Sequence, residues 1–223
     1  MTPKEIVHRI GEIGVVPVVR AASPEDAAGA MDAILAGGIH VLEITMTVPD
    51  APAVIRGTVG RYGGKILIGA GTVLTREQAE ACLQAGAQFL VSPGLAPAVL
   101  ELARSRGVLA IPGALSPTEL AAALQQGAEL IKIFPCGSVG GPSYLKALHG
   151  PFPAARLIPT GGVTVANAGD YIAAGAFAVG VGGDLVDQAA IRAGNSQKVI
   201  AAAQTLVETV RRARASGPKT AAS

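Results

Sequence analysis

Eight short apolar runs rich in β-branched residues recur along this chain, at 15–20, 40–45, 66–71, 89–92, 109–112, 130–134, 156–160 and 178–181. Their starts lie 20 to 26 residues apart, the length of one strand followed by one helix. Continuously apolar strands separated by helices indicate a parallel sheet covered on both faces. Eight such units in 223 residues fit an α/β single-domain (β/α)8 TIM barrel better than an open doubly wound sheet. The open sheet would bind a nucleotide, and its G-x-G-x-x-G fingerprint does not follow the first strand. Gly69-Ala70-Gly71 comes near, but Thr72-Val73-Leu74 follows where the third glycine belongs.

Helix punctuation agrees with this count. Thr2-Pro3-Lys4-Glu5 offers a capping threonine, a proline at the first helical position and a glutamate at the third, so an extra helix precedes the first strand. Thr75-Arg76-Glu77-Gln78 and Ser116-Pro117-Thr118-Glu119 read as further capping boxes, and Ser23-Pro24-Glu25-Asp26 as a looser one. Gly37, Gly86, Gly107, Gly127 and Gly175 each stand just before the next strand, where a left-handed C-cap is expected. No linker divides the chain before Ser216, so the domain is expected to span 1–215 and the tail 216–223 to be disordered.

Charged residues make up only 15% of the chain, below the roughly 25% of an ordinary globular domain. The shortage indicates that part of the outer surface is covered, most simply by further copies of the chain. Net charge is +2 and no basic cluster is interleaved with aromatics, which argues against nucleic acid. The apolar stretch 13–19 contains Pro17 and is too short to span a bilayer. Charged residues punctuate the first twelve positions, so no secretory signal is read and a cytoplasmic setting is expected. Cys82 and Cys136 form no disulfide framework and match no metal spacing. His8, His40 and His149 are scattered, so no metal site is expected. No G-x-S-x-G nucleophile elbow is present either.

The chemistry concentrates at strand ends, where a barrel of this kind places its active site. Lys132 interrupts the run Leu130-Ile131-Lys132-Ile133-Phe134. A buried ammonium is costly unless it is paired, wetted or deprotonated, and a neutral amine is the nucleophile that Schiff-base chemistry needs. By strand alternation, Leu130, Lys132 and Phe134 share one face and Val41, Glu43 and Thr45 another, while the opposite faces are purely aliphatic. The polar faces therefore point inward. Lys132, Glu43 and Arg20, the last residue of the first run and so at the mouth, form a candidate catalytic cluster. A purely structural ion network is the alternative, disfavoured because buried pairs rarely add net stability. Gly161-Gly162 and Gly182-Gly183 follow the seventh and eighth runs, where backbone amides of a barrel commonly cradle phosphate.

With these residues in hand, the chain resembles the 2-keto-3-deoxy-6-phosphogluconate aldolase family, class I aldolases that split sugar acids. The resemblance runs from about Val15 to Val186. It is carried by Pro17-Val18-Val19-Arg20, Leu42-Glu43-Ile44-Thr45, Gly69-Ala70-Gly71-Thr72-Val73, Ser92-Pro93-Gly94, Ile111-Pro112-Gly113, Lys132-Ile133-Phe134-Pro135 and Pro159-Thr160-Gly161-Gly162. It implies a Schiff-base lysine at Lys132, a general acid/base at Glu43, a basic residue at Arg20 and a carboxylate-binding threonine at Thr72. It further implies Pro93 and Phe134 as pocket residues, Gly161, Gly162 and Gly182 as phosphate loops, and a homotrimer.

Two positions depart from the family pattern. Thr47 stands where many members carry an arginine that helps hold the substrate carboxylate, and Gly183 where a serine often helps bind phosphate. The implied activity is reversible cleavage of 2-keto-3-deoxy-6-phosphogluconate to pyruvate and glyceraldehyde 3-phosphate, without metal or organic cofactor. The galactonate epimer and 4-hydroxy-2-oxoglutarate remain alternative substrates. A phosphosugar isomerase and a non-catalytic phosphosugar-binding barrel are the rival classes.

Overall fold

The computed structural model describes residues 1–216. The tail read as disordered lies, apart from Ser216, outside the described residues. The chain begins with α1 (Pro3–Ile13) and β1 (Val15–Val19), then α2 (Pro24–Ala36), β2 (Val41–Thr45), α3 (Ala51–Tyr62) and β3 (Leu67–Gly71). It continues through α4 (Arg76–Gln84), β4 (Phe89–Val91), α5 (Pro97–Ser105), β5 (Leu109–Ile111), β6 (Gly113–Ala114) and α6 (Pro117–Gln125). The remaining elements are β7 (Ile131–Ile133), α7 (Pro142–His149), β8 (Leu157–Pro159), α8 (Ala168–Ala173), β9 (Val179–Val181), α9 (Gln188–Arg192) and α10 (Ser196–Ala215). None of the described helices is long and apolar enough to cross a membrane.

Each of the eight apolar runs contains a strand, and every pairing is parallel. The expected closed ladder is corrected in one respect. The strands form a six-stranded curled sheet, β5-β4-β3-β2-β1-β9, and a three-stranded sheet, β6-β7-β8. An isolated Thr160–Gly180 bridge joins β8 to β9, but the fifth run ends at Pro112, and a separate strand, β6, follows it. Proline has no N–H to donate, and the Pro112 carbonyl instead accepts from the Lys132 amide at 2.9 Å.

Side-chain parity divides the strands as alternation requires. Val16, Val41, Leu67, Phe89, Leu109, Leu130, Ile158 and Ala178 pack together inside the curled sheet, and Ile6, Val7 and Ile10 of α1 join the same cluster. The extra N-terminal helix thus plugs the end away from the strand C-termini. The opposite positions, among them Leu42, Ile44, Ile131 and Ile133, belong to the outer core beneath the helices.

Thr2, Ser23, Thr75 and Ser116 all cap helices through their hydroxyls. The reciprocal half of the box forms at α1 and α6. At α4 the Gln78 side chain accepts from Leu74, one residue upstream of the cap. Gly86, Gly107, Gly127 and Gly175 are left-handed as expected, but Gly37 is not; Gly38 takes that conformation. Gly37 is needed for close packing instead, since a Cβ there would stand 2.4 Å from the Ala203 methyl.

Candidate active site

Lys132 sits in the middle of β7, the three-residue strand Ile131-Lys132-Ile133. Its backbone is held on both sides, in register with Gly113 of β6 and Ile158 of β8. The residue is 6% exposed, and Glu43 on β2 is 2% exposed. Lys132 Nζ donates to Glu43 Oε1 at 3.3 Å. The same ammonium lies 5.5 Å from the centroid of the Phe134 ring. Strand parity therefore placed both charges correctly inside the sheet, and they meet.

Gly71, in the motif Gly69-Ala70-Gly71-Thr72-Val73, makes that meeting possible. A Cβ on Gly71 would stand 2.1 Å from Glu43 Oε1, so the missing side chain is the space the carboxylate occupies. Gly71 is in register with Thr45 of β2, and its carbonyl accepts from the Met46 amide at 2.8 Å. The backbone cannot readily yield there. The signal was present in the sequence as a glycine inside a strand, which marks close approach of another group.

Arg20 does not complete the expected three-residue cluster. β1 ends at Val19, whose carbonyl is bound by the Thr45 hydroxyl at 3.1 Å. Arg20 follows outside the ladder, exposed at the rim, and the ion pair recorded for Glu43 is with Lys132. The interior cluster is thus a pair, with Arg20 at the mouth.

A cavity of about 780 Å³ opens at the C-terminal ends of the strands. Its wall includes Lys132, Arg20, Thr72, Pro93 and Phe134, together with both glycine pairs, Gly161-Gly162 and Gly182-Gly183. Glu43 lies deeper. It lines a small void of about 10 Å³ that Lys132 and Thr160 also border. Thr160, not singled out from sequence, thus joins Lys132 in lining both spaces. Room for its hydroxyl comes from Gly180, where a Cβ would stand 2.1 Å from Thr160 Oγ1.

The two glycine pairs have different reasons. Gly161 and Gly162 have φ of +80° and +81°, a region that disfavours side chains. Asn167 pins this loop, donating Nδ2 to the Gly162 carbonyl at 3.0 Å and accepting from the Thr164 amide at 2.7 Å. Gly182 and Gly183 have no positive φ, and a Cβ at either would meet nothing within 4 Å. The fold makes no steric demand for glycine there, and both residues face the cavity.

Two local arrangements shape the remaining wall. Thr72 has φ +58°, a left-handed conformation that costs a β-branched residue about 1–3 kcal/mol. Ser92 donates Oγ to the Gly94 carbonyl at 2.7 Å, fixing the turn around Pro93. Gly113 is the glycine that admits this turn, since a Cβ would stand 2.2 Å from the Pro93 carbonyl. Thr47, in place of the family arginine, is exposed, and its hydroxyl lies 2.7 Å from that of Thr45. It is absent from the cavity wall.

No group of three or more His, Cys, Asp or Glu side chains among the described residues is arranged to hold a metal. Burial pushes the thiols of Cys82 and Cys136 up to about 11. At pH 8 only about one thiol in a thousand is therefore ionised. Labelling of native protein by a disulfide reagent is expected to be at least about 100-fold slower than in urea and to quicken with each pH unit toward 11. Fast native labelling at pH 8 would contradict this burial.

Comparison with known proteins assigns the chain a family. The family model for KDPG and KHG aldolases matches residues 6–202. The 2-dehydro-3-deoxy-phosphogluconate aldolase of Treponema pallidum (strain Nichols) is 37% identical over 208 residues, covering 92% of this chain and 97% of the relative. The 2-dehydro-3-deoxy-6-phosphogalactonate aldolase of Escherichia coli (strain K12) is 36% identical over 175 residues, covering 78% and 85%. The KDPG aldolase of Legionella pneumophila, solved with pyruvate captured at low pH as a covalent carbinolamine intermediate, matches with a TM-score of 0.84 and 33% identity, over 92% of this chain and 98% of that one. A strand-borne lysine paired with a buried glutamate beneath a glycine-walled cavity is thus found on a chain that belongs to the KDPG and KHG aldolase family.

Proposed function

We propose that this chain is a class I aldolase that reversibly cleaves 2-keto-3-deoxy-6-phosphogluconate to pyruvate and glyceraldehyde 3-phosphate. The observation that carries the reading is the 3.3 Å contact between buried Lys132 and buried Glu43, with the lysine alone of the two opening to the large cavity. A proton passed from Nζ to Glu43 leaves a neutral amine facing the substrate and a carboxylic acid behind it. The amine attacks the C2 ketone, forming the N–C2 bond, and the ketone oxygen takes up a proton to give a carbinolamine. Loss of that oxygen as water yields an iminium.

The iminium accepts the electron pair as the C3–C4 bond breaks. The C4 hydroxyl loses its proton and becomes the aldehyde of glyceraldehyde 3-phosphate. The remaining enamine is protonated at C3, and water releases pyruvate and restores the amine. Glu43 shuttles the protons, and Thr160 borders the same small void. Thr72 and Arg20 take the carboxylate, Pro93 and Phe134 wall the pocket, and Gly161, Gly162, Gly182 and Gly183 cradle the phosphate. Gly182 and Gly183, which have no steric role at the cavity wall, support the cradle, since they permit close backbone approach. Binding energy at the phosphate then orients the scissile bond.

The same reading carries a single domain over residues 1–215, a homotrimer and a cytoplasmic setting, on the low charge content and the family resemblance. The galactonate epimer is the second reading, supported by the Escherichia coli relative that bears its name.

Incubation with pyruvate and borohydride tests the reading. A reduced adduct is expected on the Lys132 peptide by mass spectrometry, and its absence in folded protein would leave a binding barrel whose lysine only holds an anion. Initial cleavage rates on the two epimers and on 4-hydroxy-2-oxoglutarate decide the substrate. Thr72→Gly removes backbone strain and a pocket hydroxyl together. It is expected to shift stability by no more than about 1 kcal/mol while raising KM about tenfold. An unchanged KM would remove Thr72 from carboxylate binding.

A further inference from the structure

Among the residues lining the large cavity, Lys132, Arg20 and Arg192 are cationic and Asp184 is anionic. The aldol chemistry uses Lys132, and Arg20 stands at the end of β1. Arg192 has no place in that account. It closes α9, the short helix that follows the Gly182-Gly183 loop. Two contacts set its position. Gln188, four residues earlier on the same helix, donates Nε2 to the Arg20 carbonyl at 2.9 Å and so ties α9 to the end of β1. Arg192 Nε donates to Asp26 Oδ2 at 2.8 Å, in the first turn of α2.

The Arg192 side chain is 54% exposed in this pair and that of Asp26 18%, so the carboxylate is the fixed partner and the guanidinium reaches out from it. Asp26 thereby holds the guanidinium through Nε. Among the described residues only Nε is engaged. A guanidinium presents five N–H donors in a planar fork, so its Nη groups are left for an anion. The neighbouring glycine loops offer amides but no charge. The carboxylate of Asp184 beside them is held by the Val165 amide at 2.7 Å, and a phosphate placed there needs a cation to offset it.

We infer that Arg192 is a specificity-determining residue, the cation that recognises the terminal phosphate of the substrate beside the glycine amides. This rests on the aldolase reading and adds to it the residue that separates phosphorylated from unphosphorylated keto acids.

The test compares kcat/KM for cleavage of 2-keto-3-deoxy-6-phosphogluconate and of 4-hydroxy-2-oxoglutarate. In Arg192→Gln the ratio of the two is expected to fall about tenfold, through KM for the phosphorylated substrate. Arg192→Lys, which keeps the charge and loses the fork, is expected about threefold below the native protein. An unchanged ratio in both variants overturns the assignment. Calorimetric titration with glyceraldehyde 3-phosphate keeps this question apart from the aldolase reading. If native protein forms no reducible pyruvate adduct, the aldolase reading fails, and weaker phosphate binding in Arg192→Gln still decides the role of Arg192.

Discussion

Lys132→Met is expected to abolish pyruvate-dependent borohydride labelling and to lower aldol cleavage on the order of 10⁴-fold or more, because no other group supplies the electron sink. The same substitution carries a stability cost. Glu43 is 2% exposed, and Lys132 is its ion-pair partner. Removing one member of a buried pair leaves an uncompensated charge and costs about 3–5 kcal/mol, whereas replacing both members can be close to neutral. Urea unfolding of Lys132→Met, Glu43→Gln and the double variant should therefore show strong non-additivity, with the double variant more stable than Lys132→Met alone. Retained labelling at another lysine, or retained turnover, would remove Lys132 from the mechanism.

Glu43→Gln is expected to lower turnover by about 10²–10⁴-fold, the usual range for a general acid/base, while pyruvate binding changes far less. The amide keeps the shape and still offers an oxygen to Nζ, but it cannot take the proton. Gly71→Ala provides the positional control. Its methyl would overlap the carboxylate, whose Oε1 lies 2.1 Å from the ideal Cβ position, and the carboxylate must leave the lysine. Turnover should fall with Glu43 chemically intact. Native turnover in both variants would show that neither the proton nor its placement matters. A loss confined to KM would recast Glu43 as a binding residue.

Much of the fold was legible because its rules act over a few residues. Thr2 and Ser116 cap their helices through groups three positions along the chain, and the apolar runs mark all the parallel strands except β6, which follows Pro112. Where expectation and structure differ, a distant partner decides. Gly37 looked like a left-handed cap but is glycine because α10 packs against it through Ala203. Arg20, expected at the mouth within reach of the buried pair, lines the same cavity but stands outside β1, which ends one residue before it. Gly71 carried a signal as a glycine inside a strand, but only the packing names Glu43 as the group that approaches it; Thr160 carried no polar anomaly of the kind that exposed Lys132.

By itself the sequence determined the number of strand–helix units, the helix starts, and the inward direction of Lys132 and Glu43, because periodicity and capping are properties of a single element. Only the tertiary structure decided that these two side chains, 89 positions apart, touch at 3.3 Å, that Gly71 makes room for the carboxylate, and that Arg192 reaches the same cavity. Strand parity names the face a side chain points to. The distance across the sheet interior depends on the stagger and curl that bring separate strands together, and those are set by the packing of the whole chain.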